Sequence, residues 1–141
     1  MAYFEDLTPY TYFEPDDRNG RWAPDEPWPD VPLLNVGWLD SSHPFVTGVA
    51  PDGLLPALTE LATVRVCQTR GYHYCELCVR DLGDDARDAV RQGLIARESA
   101  EFRVRGRDVV YAAPQLMTHY VAAHEYLPPP EFCAAAVART S

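Results

Sequence analysis

The sequence lacks lysine and contains no long apolar run. All twelve basic residues are arginines, which we attribute to the codon bias of a GC-rich genome and to which we assign no functional role. No stretch approaches the ~20 apolar residues that span a bilayer, and the N-terminus MAYFEDLTPY is acidic and aromatic, unlike a secretory signal. We therefore expect a cytoplasmic protein without a membrane anchor. Because a chain of this length forms one core, residues 1–141 are predicted to form a single domain.

The negative charge is concentrated in the first part of the chain. Residues 1–60 contain eleven acidic residues and two arginines, whereas residues 61–141 contain ten of each. A field of this sign repels phosphate backbones, so nucleic acid is not the expected partner. The basic cluster Arg103, Arg105 and Arg107 alternates along a predicted strand, and we interpret it as a solvated strand face in preference to an anion site.

Residues 1–31 are predicted to form an extended arm that is acidic, aromatic and rich in proline. Its prolines interrupt every helical period. Burial of its aromatic side chains would nevertheless stabilise a packed arm, so we expect these side chains to pin the arm to the domain. The alternative is an exposed strip that grips a basic partner. The aromatic residues are Tyr3, Phe4, Tyr10, Tyr12, Phe13, Trp22 and Trp28.

Residues 32–141 are predicted to form an α+β core in which helices pack on a small antiparallel sheet. Apolar periodicity, β-branched runs and turn residues indicate the elements. The predicted strands are 33–39, 63–67, 101–105 and 109–112, the last two forming a hairpin. The predicted helices are 53–62 with Asp52 as its cap, a second that starts at Pro114 and ends before Pro128, and a short third over 131–138. Residues 81–100 are weakly patterned and fit either a short solvated helix or a loop.

Two cysteines and two histidines have the ligand types and spacings of a Cys2His2 zinc site. Cys75 and Cys78 form a C-x2-C pair, which we expect to lie as a knuckle at the end of a strand. His119 and His124 lie on the second predicted helix. They are about 140° apart around an ideal helix, so both reach one ion only if the helix loosens near its end. The predicted cofactor is Zn²⁺, which would staple the helix to the C-x2-C pair.

Three other residues compete for a place in this site. His73 precedes Cys75 by two positions and could replace either helical histidine, or orient a thiolate from outside the ligand set. Cys67 and Cys133 are expected to be small buried residues and not ligands.

Three enzyme classes use similar residues, and the sequence argues against each. A zinc deaminase needs H-x-E before its cysteine pair, and no glutamate follows His119 at that spacing. A thioredoxin-type redox pair needs C-x-x-C at the start of a helix, and Glu76 between the cysteines raises the cost of the thiolate. A nuclease needs a phosphate-binding groove, which the acidic balance disfavours.

Several motifs together resemble a family of small uncharacterised bacterial proteins, a domain of unknown function. They are DLTPY (6–10), NVGWLD (35–40), HPFVTG (43–48), RGYHYCELC (70–78) and VYAAPQLMTHYVAAHEYLPPPEF (110–132). The resemblance spans nearly the whole chain. It implies one α+β domain with RG-x-H-x-C-x2-C and H-Y-V-x2-H as signature elements, and it implies no established activity. These elements correspond here to His73, Cys75, Cys78, His119 and His124.

The functional expectation is a small zinc-binding protein that acts as a protein-interaction or regulatory module. A closed four-ligand zinc contributes folding energy directly, and the acidic aromatic arm is the expected contact surface for another protein. One alternative is a zinc-dependent hydrolase with an open metal position and Glu76 or Glu125 as general base. The other is an immunity-like protein whose acidic face binds a basic partner.

Overall fold

The computed structural model describes residues 3–10, 31–67 and 72–140. The strands are β1 (Leu33–Asn35), β2 (His73–Tyr74), β3 (Arg97–Glu98), β4 (Glu101–Arg105) and β5 (Val110–Pro114). The helices are α1 (Leu54–Leu61), α2 (Glu76–Leu82), α3 (Ala86–Arg91), α4 (Met117–His124) and α5 (Pro130–Thr140), with a 3-10 turn at Gly83–Asp85. The fold is therefore mixed α+β, as predicted. None of the helices in the described ranges is long and apolar enough to cross a membrane.

The main sheet has three strands in the order β1-β5-β4. The predicted hairpin is confirmed, because β4 and β5 pair antiparallel from Glu101 opposite Pro114 to Arg105 opposite Val110. The prediction of a small antiparallel sheet is confirmed only in part, because β1 pairs parallel with β5. The chain between these two strands is long enough to return in the same direction, which a parallel pair requires. A second, two-stranded antiparallel sheet is formed by β2 and β3.

Two predicted strands are shorter than expected or not formed. The run 33–39 pairs as a strand only to Asn35, and Gly37 then adopts a φ of 84°, which ends the extended conformation. In 63–67 an isolated bridge joins Val66 to Glu101, while Cys67 has a positive φ of 52°. Of the β-branched residues in this run, Thr63 and Val64 are exposed and Val66 is buried, so the alternation predicted neither a continuous strand nor a buried one.

Two helix starts also differ from the prediction. The residue before α1 is Gly53, with a φ of 84°, and no side chain caps this helix, so Asp52 is not its cap. Pro114 ends β5, and α4 begins three residues later at Met117. A proline tolerates both a strand end and a first helical turn, so its presence alone did not decide between them.

The core lies between the main sheet and the helices. Phe102 and Val104 point from β4 to the helix side and are fully buried. The opposite side of the sheet carries a smaller cluster of Tyr10, Trp38 and Ala112. The Trp38 indole donates a 3.0 Å hydrogen bond to the Ala112 carbonyl, so its polar atom is satisfied within the cluster.

Residues 3–10 are packed onto the domain, as expected for the first part of the arm. The Tyr10 amide donates to the Leu33 carbonyl at 2.8 Å. Asp6 accepts from the Gly37 amide at 3.0 Å and from the Tyr126 hydroxyl at 2.7 Å. Burial raises the pKa of the Asp6 carboxyl, and these two hydrogen bonds oppose that rise. Residues 11–30, which make up most of the predicted arm, lie outside the described residues.

Arg103 is buried, which corrects its assignment to a solvated strand face. Its side chain is 6% exposed and donates to Glu101 Oε1 at 2.8 Å. The Tyr10 hydroxyl donates to the same carboxylate oxygen at 2.9 Å, and the Arg103 guanidinium lies 4.9 Å from the centre of the Tyr10 ring. Of the other two arginines, Arg105 is half-buried and Arg107 is exposed. Tyr10 of the N-terminal segment covers this face of the main sheet. The alternation of residues along a strand shows which side chains share a face, but it does not show whether another segment covers that face.

We expect the substitution Gly37→Ala to lower the free energy of unfolding by about 2–4 kcal/mol. A Cβ at Gly37 would lie 2.6 Å from Met117 Cε, and the φ of 84° adds backbone strain. Gly93→Ala is the matched control, because its φ is 73° but no atom lies within 4 Å of the added Cβ. Gly93→Ala should lower the free energy of unfolding by about 1 kcal/mol, because backbone strain is its only cost. Denaturant unfolding measures both, and equal costs would contradict a role for the Met117 contact.

Candidate metal centre

Cys75, Cys78, His119 and His124 converge at one point between α2 and α4. One ligand atom from each lies within 4.8 Å of the ligand atoms of the other three. Cys75 is buried and the other three are partly buried. The structure therefore brings together all four residues that the sequence analysis selected, and the cluster could hold a metal ion.

The distances within the cluster fit a tetrahedral ion. Both histidines present Nε2. The distance to Cys78 Sγ is 3.3 Å from His119 Nε2 and 3.3 Å from His124 Nε2, and Cys75 Sγ is 3.4 Å from His124 Nε2. Ligands at zinc distances of ~2.3 Å for sulfur and ~2.05 Å for nitrogen would be about 3.5 Å apart in a tetrahedron. The donor set and its spacing therefore fit zinc.

The end of α4 explains how two histidines five positions apart reach the same point. The amide of Glu125 donates to the Tyr120 carbonyl, five residues back, and the amide of Tyr126 donates to the same oxygen at 3.2 Å. An ideal α-helix bonds four residues back, so the last turn is wider than usual. Glu125 then leaves the helix with a φ of 56°. The rings of His119 and His124 meet edge to face with their centres 5.0 Å apart.

The cysteine pair lies at a junction between a strand and a helix. β2 ends at Tyr74, as the expected knuckle requires, but Cys75 then caps α2 and Cys78 lies in its first turn. The Cys78 amide donates to Cys75 Sγ at 3.4 Å, and the Cys75 amide donates to the Ala96 carbonyl at 2.9 Å. Both sulfurs are thereby aimed at α4.

The protonation states follow from burial. Burial lowers the pKa of His119, which neighbouring His124 lowers further, and burial also lowers the pKa of His124. Neutral imidazoles with free lone pairs are the form that binds metal. Burial raises the pKa of the Cys75 thiol to about 12. A bound cation must therefore displace a proton from Cys75, which a divalent metal does by stabilising the thiolate.

Asp81 is a residue near the cluster that the sequence analysis missed. Its Oδ2 lies 3.8 Å from His124 Nδ1, the ring nitrogen that points away from the cluster. This distance is too long for a hydrogen bond, so the carboxylate favours the tautomer whose Nε2 lone pair faces the cluster through its charge alone. The spacing from Cys78 to Asp81 is three residues, which places both on one side of a helix. That spacing was the available signal, but the sequence analysis predicted no helix over residues 76–80.

The competing residues lie elsewhere. His73 is half-buried in β2, opposite Glu98 of β3, and is not part of the four-residue cluster. It lines a small cavity of about 10 Å³ with Cys67 and Gln115 among its other walls. Cys67 and Cys133 are both buried, in agreement with the prediction that they are small core residues.

We expect His119→Ala to abolish stoichiometric metal binding and His73→Ala to leave it intact. The first substitution removes a nitrogen 3.3 Å from Cys78 Sγ, whereas the second removes an imidazole outside the cluster. Loss of one of four ligands weakens binding by well over tenfold, since even residues that only support a ligand contribute 10–100-fold. Zinc titration against a competing chelator measures both variants. If His73→Ala lost the metal and His119→Ala retained it, His73 would be the ligand and His119 would not.

Comparison with known proteins identifies a family. Residues 2–137 match the family model described as "Domain of unknown function (DUF7919)". No curated protein and no solved structure matches the chain. Because the match covers nearly the whole chain, this protein belongs to the DUF7919 family of domains of unknown function.

Proposed function

We propose that this protein is a small zinc-binding module in which a structural Cys2His2 zinc holds α2 against α4, and that the domain so formed binds another protein. The observation that carries the proposal is the convergence of four side-chain ligands from two helices. Two thiolates and two imidazoles in tetrahedral spacing form a donor set that selects zinc over harder cations such as magnesium or calcium.

The weak burial of α2 and α3 supports a stapling role. Of the seven residues in α2, Leu77 is buried, while Val79 and Leu82 are 37% and 43% exposed. In α3 the buried residues are the small Ala86 and Ala89. Such short helices gain little from apolar burial, so a metal bond to α4 supplies stability that the core does not.

A structural role is better supported than hydrolysis. A hydrolytic zinc keeps three protein ligands and an open position for water, whereas here four side chains meet at tetrahedral spacing. The two glutamates suggested as general bases make another contact or lie at the surface. Glu76 Oε1 accepts a 3.4 Å hydrogen bond from Ser41, and Glu125 is the exposed residue at which α4 ends.

The binding of another protein rests on the charge of the N-terminal region. Among the described arm residues, Tyr10 is buried and Asp6 is hydrogen-bonded to Tyr126, so these side chains hold residues 3–10 on the domain. We assign the partner contact to the six acidic residues of the arm after position 10, and a basic protein surface is the complementary partner. An immunity-like role would be one case of this contact. The acidic residues concerned are Glu14, Asp16, Asp17, Asp25, Glu26 and Asp30.

Metal content and coordination test the zinc site. Protein purified without added metal is analysed for bound elements and then by X-ray absorption at the zinc edge. One zinc per chain with two sulfur and two nitrogen ligands is expected. A zinc with an oxygen ligand would replace the structural proposal with the hydrolytic one, and protein without metal would refute both.

The partner contact is tested with a charge variant of the arm. Replacing its six acidic residues after position 10 with the corresponding amides removes the charge but keeps the side-chain size. We expect metal content and thermal stability to stay unchanged, while binding to a basic protein identified by crosslinking falls at least about tenfold. Unchanged affinity would place the contact elsewhere on the domain.

A further inference from the structure

We propose that Cys75 and Cys78 form a dithiol that hydroperoxides oxidise to a disulfide, and that this modification releases the metal. The inference rests on the proposed function, because it concerns the same four-residue cluster. Its chemistry, however, belongs to the two cysteines and can be followed without the metal.

The geometry of the pair suits a disulfide. Cys75 caps α2 and Cys78 lies three residues later, so their Cα atoms are roughly 5–6 Å apart, within the range of disulfides. The two sulfurs are within 4.8 Å of each other and the Cys78 amide already donates to Cys75 Sγ. A bond between the sulfurs therefore needs side-chain rotation but no rearrangement of the helix.

The two cysteines differ in exposure, which assigns their roles. Cys78 is partly exposed, and the next two residues, Val79 and Arg80, are exposed as well, so a small oxidant reaches Cys78 first. Cys75 is fully buried behind it. Cys78 is therefore the residue that reacts with the peroxide, and Cys75 is the resolving residue.

The reaction balances with a hydroperoxide as the two-electron oxidant. The Cys78 thiolate attacks the peroxide, the O–O bond breaks, and a sulfenic acid forms while the leaving oxygen takes up a proton as water or alcohol. The Cys75 thiolate then attacks the Cys78 sulfur, the S–O bond breaks, and the hydroxide leaves with a second proton as water. The two thiolates lose two electrons in total. The disulfide carries no negative charge, so His119 and His124 remain as the two ligands of a much weaker site.

The remaining cysteines provide internal controls. Cys67 and Cys133 are 1% and 5% exposed. Burial raises the pKa of the Cys67 thiol to about 11, and burial raises that of Cys133 as well. Neither belongs to the four-residue cluster, and burial shields both from a small oxidant, so they should react more slowly than Cys78.

The test exposes the native metal-loaded protein to hydrogen peroxide and measures released zinc with a chromophoric chelator. Thiol mapping by mass spectrometry follows the same samples. We expect one zinc released per Cys75–Cys78 disulfide, at least about tenfold faster than modification of Cys67 or Cys133. A dithiol reductant should restore both thiols and zinc binding. Cys133→Ser is the matched control and should release zinc as the native protein does.

The outcomes separate this inference from the proposed function. Zinc that stays bound with both thiols intact would overturn the inference and leave the structural zinc standing. Earlier oxidation of Cys67 or Cys133, or irreversible oxidation of Cys78, would also overturn it. If the protein carries no zinc but forms the disulfide, the proposed function fails and the dithiol remains as a site of modification.

Discussion

Removal of the proposed zinc from the native protein is expected to lower its free energy of unfolding by about 4 kcal/mol or more. This value corresponds to a free zinc concentration about a thousandfold above the dissociation constant, and structural zinc in small domains often binds more tightly. For a domain of this size the melting temperature should fall by more than about 10 °C. Calorimetry before and after chelation, with metal content verified in each sample, measures the change.

The loss should be localised in the structure. α2 has Leu77 as its buried residue, and its cysteines Cys75 and Cys78 meet the α4 histidines in the four-residue cluster that the proposed zinc would join. Without the metal, amide exchange should therefore rise first in α2 and in the last turn of α4, whereas the hairpin of β4 and β5 should stay protected. A uniform rise would indicate that the metal supports the whole fold.

A variant provides the matched comparison for chelation. Cys78→Ser measured with zinc present should melt at the temperature of the chelated native protein, because both lack the same site. Cys133→Ser removes a buried sulfur outside the cluster and should retain the metal-dependent part of the stability. Full thermal stability of the verified metal-free protein would refute the structural role of the site.

The second large effect is expected at the buried ion pair between β4 residues Glu101 and Arg103. Glu101→Gln should lower the free energy of unfolding by about 3–5 kcal/mol, because it leaves the Arg103 charge buried without its counter-ion. The two side chains are 5% and 6% exposed. Burial alone would lower the pKa of the Arg103 guanidinium, but Glu101 and its other neighbours together raise it, so Arg103 stays charged. Urea unfolding measures the loss.

An exposed ion pair in the same molecule is the control. Arg65 lies 3.0 Å from Glu98, and their side chains are 40% and 36% exposed. Glu98→Gln should therefore cost less than about 1 kcal/mol, since solvent screens this pair. If Glu98→Gln and Glu101→Gln lowered the free energy of unfolding by similar amounts, burial would not be the reason for the large effect at Glu101. A double substitution of Glu101 and Arg103 by apolar residues should recover much of the loss, because no unpaired charge remains.

Local sequence patterns predicted the helices and strands that form between residues close together in the chain. The hairpin of β4 and β5 follows from alternating residues around a turn, and α1, α4 and α5 follow from apolar spacing and flanking prolines. The short α2 and α3 left a weak pattern because they bury few apolar residues. The parallel pairing of β1 with β5 depends on strands that are far apart in the chain, and no local pattern encodes it.

The sequence by itself determined the residue types and spacings of the candidate metal site, but it left His73 open as a rival ligand. A C-x2-C pair and two histidines on one helix restrict the chemistry to a few metals, because ligand type and spacing are written in the chain. Only the tertiary structure decided that His73 lies outside the cluster, that the last turn of α4 widens, and that Arg103 is buried under Tyr10. Each of these depends on contacts between distant segments. Such contacts arise when the whole chain packs, so no local window of the sequence contains them.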